Sequence, residues 1–243
     1  MTENKIQPAP DEPAAPKELG SAFDLLGRSF EIVKKYWYLF AVVYAIDIII
    51  TIFDALNPYR IFSNQNIDSS STSVSGLNEN FYIGVAAVSA LVALVVYIYL
   101  FVARTSLEVK TTAGKSPTLS EILKDGAKYF FPLLGLVIFS IVIILLGLLL
   151  LIVPGIIAIG RLALAPYFLV EGLSMKEALK KSNQLGKQYF GKVWAAIGVM
   201  ILIGIGAGVL GLVPIVGTLA GTAMFIAYSL VVPLRYQQLK KLG

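Results

Sequence analysis

Between residues 193 and 234 the chain carries no charged side chain. At about 1.5 Å per residue, a helix of that length is roughly twice the thickness of a bilayer's hydrocarbon core. One straight helix of this kind fits neither water nor a membrane, so the run must fold back. Pro214 and Gly217 supply the turn chemistry. Two spans are expected here, 193–213 and 215–234.

The same reasoning along the rest of the chain gives four more spans. They are 36–53, interrupted by Asp47; 81–103; 130–153; and 156–170, which is short and carries Arg161. Pro154-Gly155 marks the turn between the third and fourth. Only 14% of the residues are charged and 57% are hydrophobic, whereas a soluble domain carries about 25% charged residues. The expected fold class is all-α, a polytopic integral membrane protein occupying residues 21–243. Residues 1–20, rich in Pro, Ala and Glu, read as a disordered cytoplasmic tail. They lack the apolar core of a cleavable signal peptide, so the first span acts as the targeting signal.

Lys and Arg set the orientation. Segment 104–129 carries Arg104, Lys110, Lys115, Lys124 and Lys128, and segment 171–192 carries Lys176, Lys180, Lys181, Lys187 and Lys192. Both ends of the chain are basic as well. The 54–80 loop has only Arg60, and the two tight turns have no basic residue. Every second connection is basic, which by the positive-inside rule gives six spans with both termini on the cytoplasmic side.

Three segments open alike: Ser21 with Asp24 and Leu26, Thr118 with Glu121 and Leu123, Ser174 with Glu177 and Leu179. Each has a hydroxyl followed three residues later by an acid, the pattern of a capping box at a helix start. Each stands just before an odd-numbered span. The helices that follow are amphipathic, with apolar residues three and four apart and lysines between them, as expected of a helix lying in the membrane interface. The first and third agree further, at Ser29 and Ser182, Lys34 and Lys187, and Tyr36 and Tyr189. The expected architecture is three copies of an interfacial helix followed by a transmembrane hairpin. Lys34, Lys35, Lys124, Lys128, Lys176, Lys180, Lys181 and Lys187 are then candidates to contact anionic lipid headgroups or a cytosolic protein partner.

Ionisable residues inside a membrane are costly and face a partner or a cavity. Asp47 and Arg161 fall at similar depth, so an ion pair that ties the first two hairpins together is geometrically possible, unless Arg161 snorkels outward; the functional alternative is a polar site for a proton, an ion or an anionic headgroup. Gly204/Gly208 and Gly217/Gly221 are GxxxG pairs, expected to let helices pack closely. Pro132, Pro166 and Pro233 are expected to kink spans or mark their ends. The chain has no Cys and no His, which removes thiolate chemistry, disulfides and the commonest general base and metal ligand. No nucleophile elbow, phosphate loop or zinc-protease motif is present. Gly206-Ala207-Gly208-Val209-Leu210-Gly211 matches a dinucleotide fingerprint only in spelling, because it follows no strand. No enzyme activity, cofactor, metal or nucleic acid is expected.

The stretch 153–199 resembles the membrane domain associated with bacterial glycerophosphodiester phosphodiesterases and related inner-membrane proteins. The likeness is carried by Pro154-Gly155, Arg161, Pro166, Glu171, the Ser174–Leu179 box, and Ser182 before Tyr189. It implies a helical multi-span module in a prokaryotic cytoplasmic membrane and no catalysis, since that family's active site lies in a separate soluble barrel. The expected function is a non-enzymatic membrane protein that organises or anchors lipid or a cytosolic partner through its basic interfacial helices. The alternative is a small transporter or lipid-handling protein using Asp47 and Arg161.

Overall fold

The computed structural model describes residues 19–55, 79–213 and 216–242. The Pro-rich segment before Leu19, most of the 54–80 loop, and Pro214 lie outside the described residues. Among those described, all regular structure is helical: α1 (Asp24–Lys35), α2 (Trp37–Val43), α3 (Ala45–Ala55), α4 (Glu79–Thr112), α5 (Leu119–Lys128), α6 (Phe130–Leu150), α7 (Ile152–Leu162), α8 (Ala165–Val170), α9 (Met175–Gln188), α10 (Phe190–Leu210), α11 (Val216–Tyr228) and α12 (Val231–Lys240). Five segments are long and apolar enough to cross a membrane: Ala87–Thr112, Phe130–Leu150, Ile152–Val170, Phe190–Leu210 and Val216–Lys240. The chain is a multi-pass membrane protein by that measure.

Several boundaries move from their expected places. The first expected span, 36–53, lies on α2 and α3, which meet at Tyr44. The Tyr44 N–H donates to Phe40 O and the Ile48 N–H to Tyr44 O, so the helical ladder runs on through the junction. The second span does not stop at Ala103. The helix α4 continues to Thr112, so Arg104 and Lys110 stand on a packed helix and not in a loop. The turn between α6 and α7 is at Leu151, the one residue there with extended backbone, three residues earlier than Pro154. Pro154 is instead the third residue of α7. Pro132 and Pro233 are the third residues of α6 and α12, and Pro166 the second of α8. In a helix's first turn the missing proline N–H would have had no partner anyway, so all four prolines mark starts.

Two of the three capping boxes form. Thr118 and Ser174 each accept from the backbone N–H three residues on, and Glu121 and Glu177 reach back to the backbone N–H of the cap. The Ser21–Asp24 box does not close. There the Phe23 N–H donates to the Ser21 hydroxyl, and α1 begins without a side-chain cap. Here Phe23 is the N-cap and Asp24 the first helical residue, so the acid does not stand at the third position that the box requires. The three short helices end identically: Tyr36, Tyr129 and Tyr189 occupy the C-caps of α1, α5 and α9, each with a lysine in the turn before and an aromatic residue opening the next helix.

The core sits at the end of the bundle that holds these short helices. Leu39, Phe40, Leu107, Ile122, Leu133, Leu164 and Tyr236 are fully buried there. At the opposite end apolar side chains face outward, with Leu149 84% and Leu212 80% exposed, a surface suited to lipid. Each short helix packs on a different long one: α5 on α4, α9 on α7 and α8, and α1 on α11 and α12. The last contact joins the start of the described chain to its end.

Candidate functional site

The residue eight after the opening hydroxyl of each capping-box segment is buried: Ser29, Gly126 and Ser182. The residue type follows from what it meets. Between α11 and α12 the helix breaks at Ser229–Leu230. The Ser29 hydroxyl donates to Ala227 O at 2.9 Å and accepts from the Leu230 N–H at 3.3 Å, serving groups the break leaves open. Between α7 and α8 the helix breaks at Ala163–Leu164, and the Ser182 hydroxyl donates to Arg161 O at 2.7 Å. The partner of Gly126 is α4, which is unbroken. A Cβ at Gly126 would lie 3.0 Å from the Tyr99 ring, so glycine fits where there is no open carbonyl to serve.

The seating of α9 on α7 builds a groove. Gly186 allows it: a Cβ there would come within 2.6 Å of Arg161 Cα. The groove, about 590 Å³, has apolar walls that include Phe139 and Ile143 of α6 and Ile157 and Leu162 of α7. Its polar members are Arg161 of α7 with Lys180 and Asn183 of α9. The Arg161 Nε is buried and has no hydrogen-bond partner.

A second hollow, about 860 Å³, lies between α8, α9 and the end of α12. Lys181, Lys187 and Lys240 surround Glu171 there. The Glu171 carboxylate accepts from the Tyr236 hydroxyl at 2.8 Å and pairs with the Lys240 ammonium. All eight lysines expected to contact headgroups or a partner are exposed. Lys180 lines the first hollow and Lys181 and Lys187 the second, whereas Lys34, Lys35, Lys124, Lys128 and Lys176 lie outside both. Lys35 and Lys128 rest over the rings of Tyr36 and Tyr129.

The expected Asp47–Arg161 pair does not form. Asp47 pairs with Arg104. The reason is the continuation of α4, which carries Arg104 past the α2–α3 junction, while Arg161 is held away by α9. The Arg104 guanidinium lies 4.5 Å from the Tyr44 ring centroid, and the Tyr44 hydroxyl donates to Glu108 Oε1 at 3.1 Å. Arg104 and Glu108 are one helical turn apart, as are Tyr44 and Asp47, so two helix faces interlock. That four-residue spacing of opposite charges beside an apolar run was the signal available for this cluster.

Asp47 and Arg104 line a further cavity of about 720 Å³ between α3, α4, α10 and α11. Here the two GxxxG pairs part. Cβ atoms at Gly217 and Gly221 would strike Leu210 O and Ala207 O, so this pair does pack helices closely. Gly204 and Gly208 have nothing within 4 Å of a Cβ position; they face the cavity. Arg235, counted in the sequence among topology-setting residues, is 1% exposed. It donates to Gly20 O and to Gln238 Oε1. Among the described residues no group of three or more His, Cys, Asp or Glu could hold a metal.

Fold and site together define, among the described residues, an all-helical multi-pass membrane protein with charged and polar groups at several cavities. Compared with family models, with curated proteins and with solved structures, the chain matches none.

Proposed function

We propose that this chain is a non-enzymatic, six-span protein of the cytoplasmic membrane that holds anionic phospholipid headgroups at its cytoplasmic face. The observation that carries the reading is the α6–α7–α9 groove. Its cations, Arg161 and Lys180, stand beside walls that are apolar along α6 and α7. An anionic lipid of the inner leaflet matches both parts: the phosphate takes the Arg161 guanidinium and the Lys180 ammonium, and an acyl chain lies along Phe139 and Ile143. The second hollow, with three lysines around one acid, adds positive potential beside it.

The six-span count rests on the five long apolar segments together with α2–α3, whose hydrogen bonds continue through Tyr44. The threefold repeat is supported by the shared Tyr C-caps and by the buried residues Ser29, Gly126 and Ser182, each eight after its opening hydroxyl. With both termini inside, these three helices lie at the cytoplasmic interface. The cysteine-free background allows direct mapping: single cysteines at Lys124 and Lys176 label only from the cytoplasmic side, and labelling from outside would reverse the topology.

Lipid binding is tested on the full chain in nanodiscs of mixed phosphatidylglycerol and phosphatidylcholine, by counting retained lipid with native mass spectrometry. The native chain retains phosphatidylglycerol. Arg161→Gln with Lys180→Gln loses roughly tenfold in that preference, the size of one charge-assisted hydrogen bond. Equal retention of both lipids by the native chain would refute the proposal.

A further inference from the structure

The cavity between α3, α4, α10 and α11 belongs to neither lipid-facing hollow. Its deep end is formed by Tyr44, Asp47 and Arg104, and it extends along α10 to Gly211 and Leu212, away from the short helices. From Gly204 to Gly211 that is about 10 Å of helix. Its volume of about 720 Å³ lies within the range of small-molecule sites, roughly 300–1,000 Å³.

Three features of its wall point to one chemistry. The first is charge: one carboxylate and one guanidinium line the cavity, paired with each other. A ligand with a single charge would draw one member away and leave the other unpaired in a weakly solvated place, which is expensive. A ligand with both charges satisfies both. The second is spare donor capacity: the Arg104 Nε is buried and has no partner. The third is the polar and open lining between α3 and α11. The Thr51 and Thr222 hydroxyls are 3.3 Å apart, and Thr222 also donates to Thr218 O. Opposite them, Gly204 and Gly208 leave open space where any other residue would place a side chain.

We infer that this cavity binds a small zwitterion, its anionic group on Arg104 and its ammonium on Asp47. The threonine hydroxyls hold the segment between the charges. The same chemistry is offered by a soluble zwitterion and by the headgroup of a zwitterionic lipid, and the two sources are separable. The inference does not rest on the lipid groove, which uses other residues on other helices.

The test is thermal unfolding of the full chain in a neutral detergent, followed by tryptophan fluorescence. The probes are glycine, phosphoethanolamine, and phosphatidylethanolamine in mixed micelles; ethanolamine and inorganic phosphate carry each charge alone. A zwitterion that binds the folded state raises the unfolding midpoint saturably, by several degrees. Neither single-charge probe does. A response to glycine or phosphoethanolamine identifies a soluble ligand; a response to the lipid alone identifies a headgroup. The decisive variant is Gly208→Leu, which fills the cavity without touching the ion pair and abolishes the shift, while Arg161→Gln leaves it intact. Should Gly208→Leu fail to fold, Thr222→Val serves instead and weakens the response several-fold. No response to any zwitterion, an equal response to phosphate alone, or a shift that survives Gly208→Leu or Thr222→Val would overturn the inference.

Discussion

Alanine at Gly208 and at Gly221, one at a time, separates open space from tight packing. In a helix interior, Gly→Ala gains about 1 kcal/mol of helix propensity at either site. At Gly208 the methyl group enters the cavity and meets nothing within 4 Å, so the gain stands. At Gly221 the methyl would lie 2.6 Å from Ala207 O and 3.2 Å from its carbonyl carbon. Carbon contacts settle near 3.5–4.0 Å, and the obstacle is backbone, so α11 must retreat from α10 by roughly 1 Å. Overpacking of this kind costs about 1–3 kcal/mol, enough to cancel or reverse the propensity gain. The variants should therefore differ by about 1–3 kcal/mol, with Gly208→Ala the more stable. Unfolding by SDS in mixed micelles, read by fluorescence of Trp194 on α10, measures the difference. If Gly208→Ala is destabilised as much as Gly221→Ala, the space at Gly208 is filled in solution and the cavity argument collapses.

The remaining predictions concern the short helices. Ser29→Ala removes two hydrogen bonds at the α11–α12 break and should cost about 1–3 kcal/mol, more than Ser182→Ala, which removes one; the same SDS titration ranks them. Gly186→Ala should lift α9 from α7 and weaken phosphatidylglycerol retention as strongly as the Arg161 and Lys180 changes do, read by native mass spectrometry. Hydrogen bonds from the Ser174 hydroxyl and N–H hold the Glu177 carboxyl below its usual range, with Lys181 assisting. A carboxyl with a lowered pKa stabilises the fold above its unfolded value, near pH 4.3, and that contribution fades as pH falls through the lowered pKa. Protection of the first-turn amides of α9, taken as the exchange rate relative to the intrinsic rate at each pH, should therefore fall on acidification. In Glu177→Gln, which keeps the capping geometry without the titration, the rate should follow only the intrinsic pH dependence of exchange.

Composition and the spacing of apolar runs were enough to read an all-helical, multi-pass chain, because lipid permits few other ways to satisfy a backbone. Side-chain partners were harder. Arg104 reads as a topology-setting charge in a loop, and only its four-residue spacing from Glu108 hints that α4 runs on for two more turns and brings it to Asp47. The Gly204/Gly208 and Gly217/Gly221 pairs have the same spacing yet opposite roles, since spacing defines a face and not what stands opposite it. The Glu boxes at Thr118 and Ser174 were legible as written, and the Ser21–Asp24 box fails because α1 begins at Asp24 and not directly after Ser21. The groove at Arg161 was half visible: the arginine stood out, but its companions come from α9, whose docking depends on Gly186 and Ser182.

Ser29 finds its partners 198 and 201 residues further along the chain. During synthesis, α1 emerges early with the buried face formed by Leu25, Ser29 and Val33 still unsatisfied. That face must wait for α11 and α12, which emerge near the end of the described chain. The ring of short helices therefore closes only after nearly every span has been inserted. Until then the face of α1 that carries Leu25, Ser29 and Val33 lacks the partners it has in the finished structure.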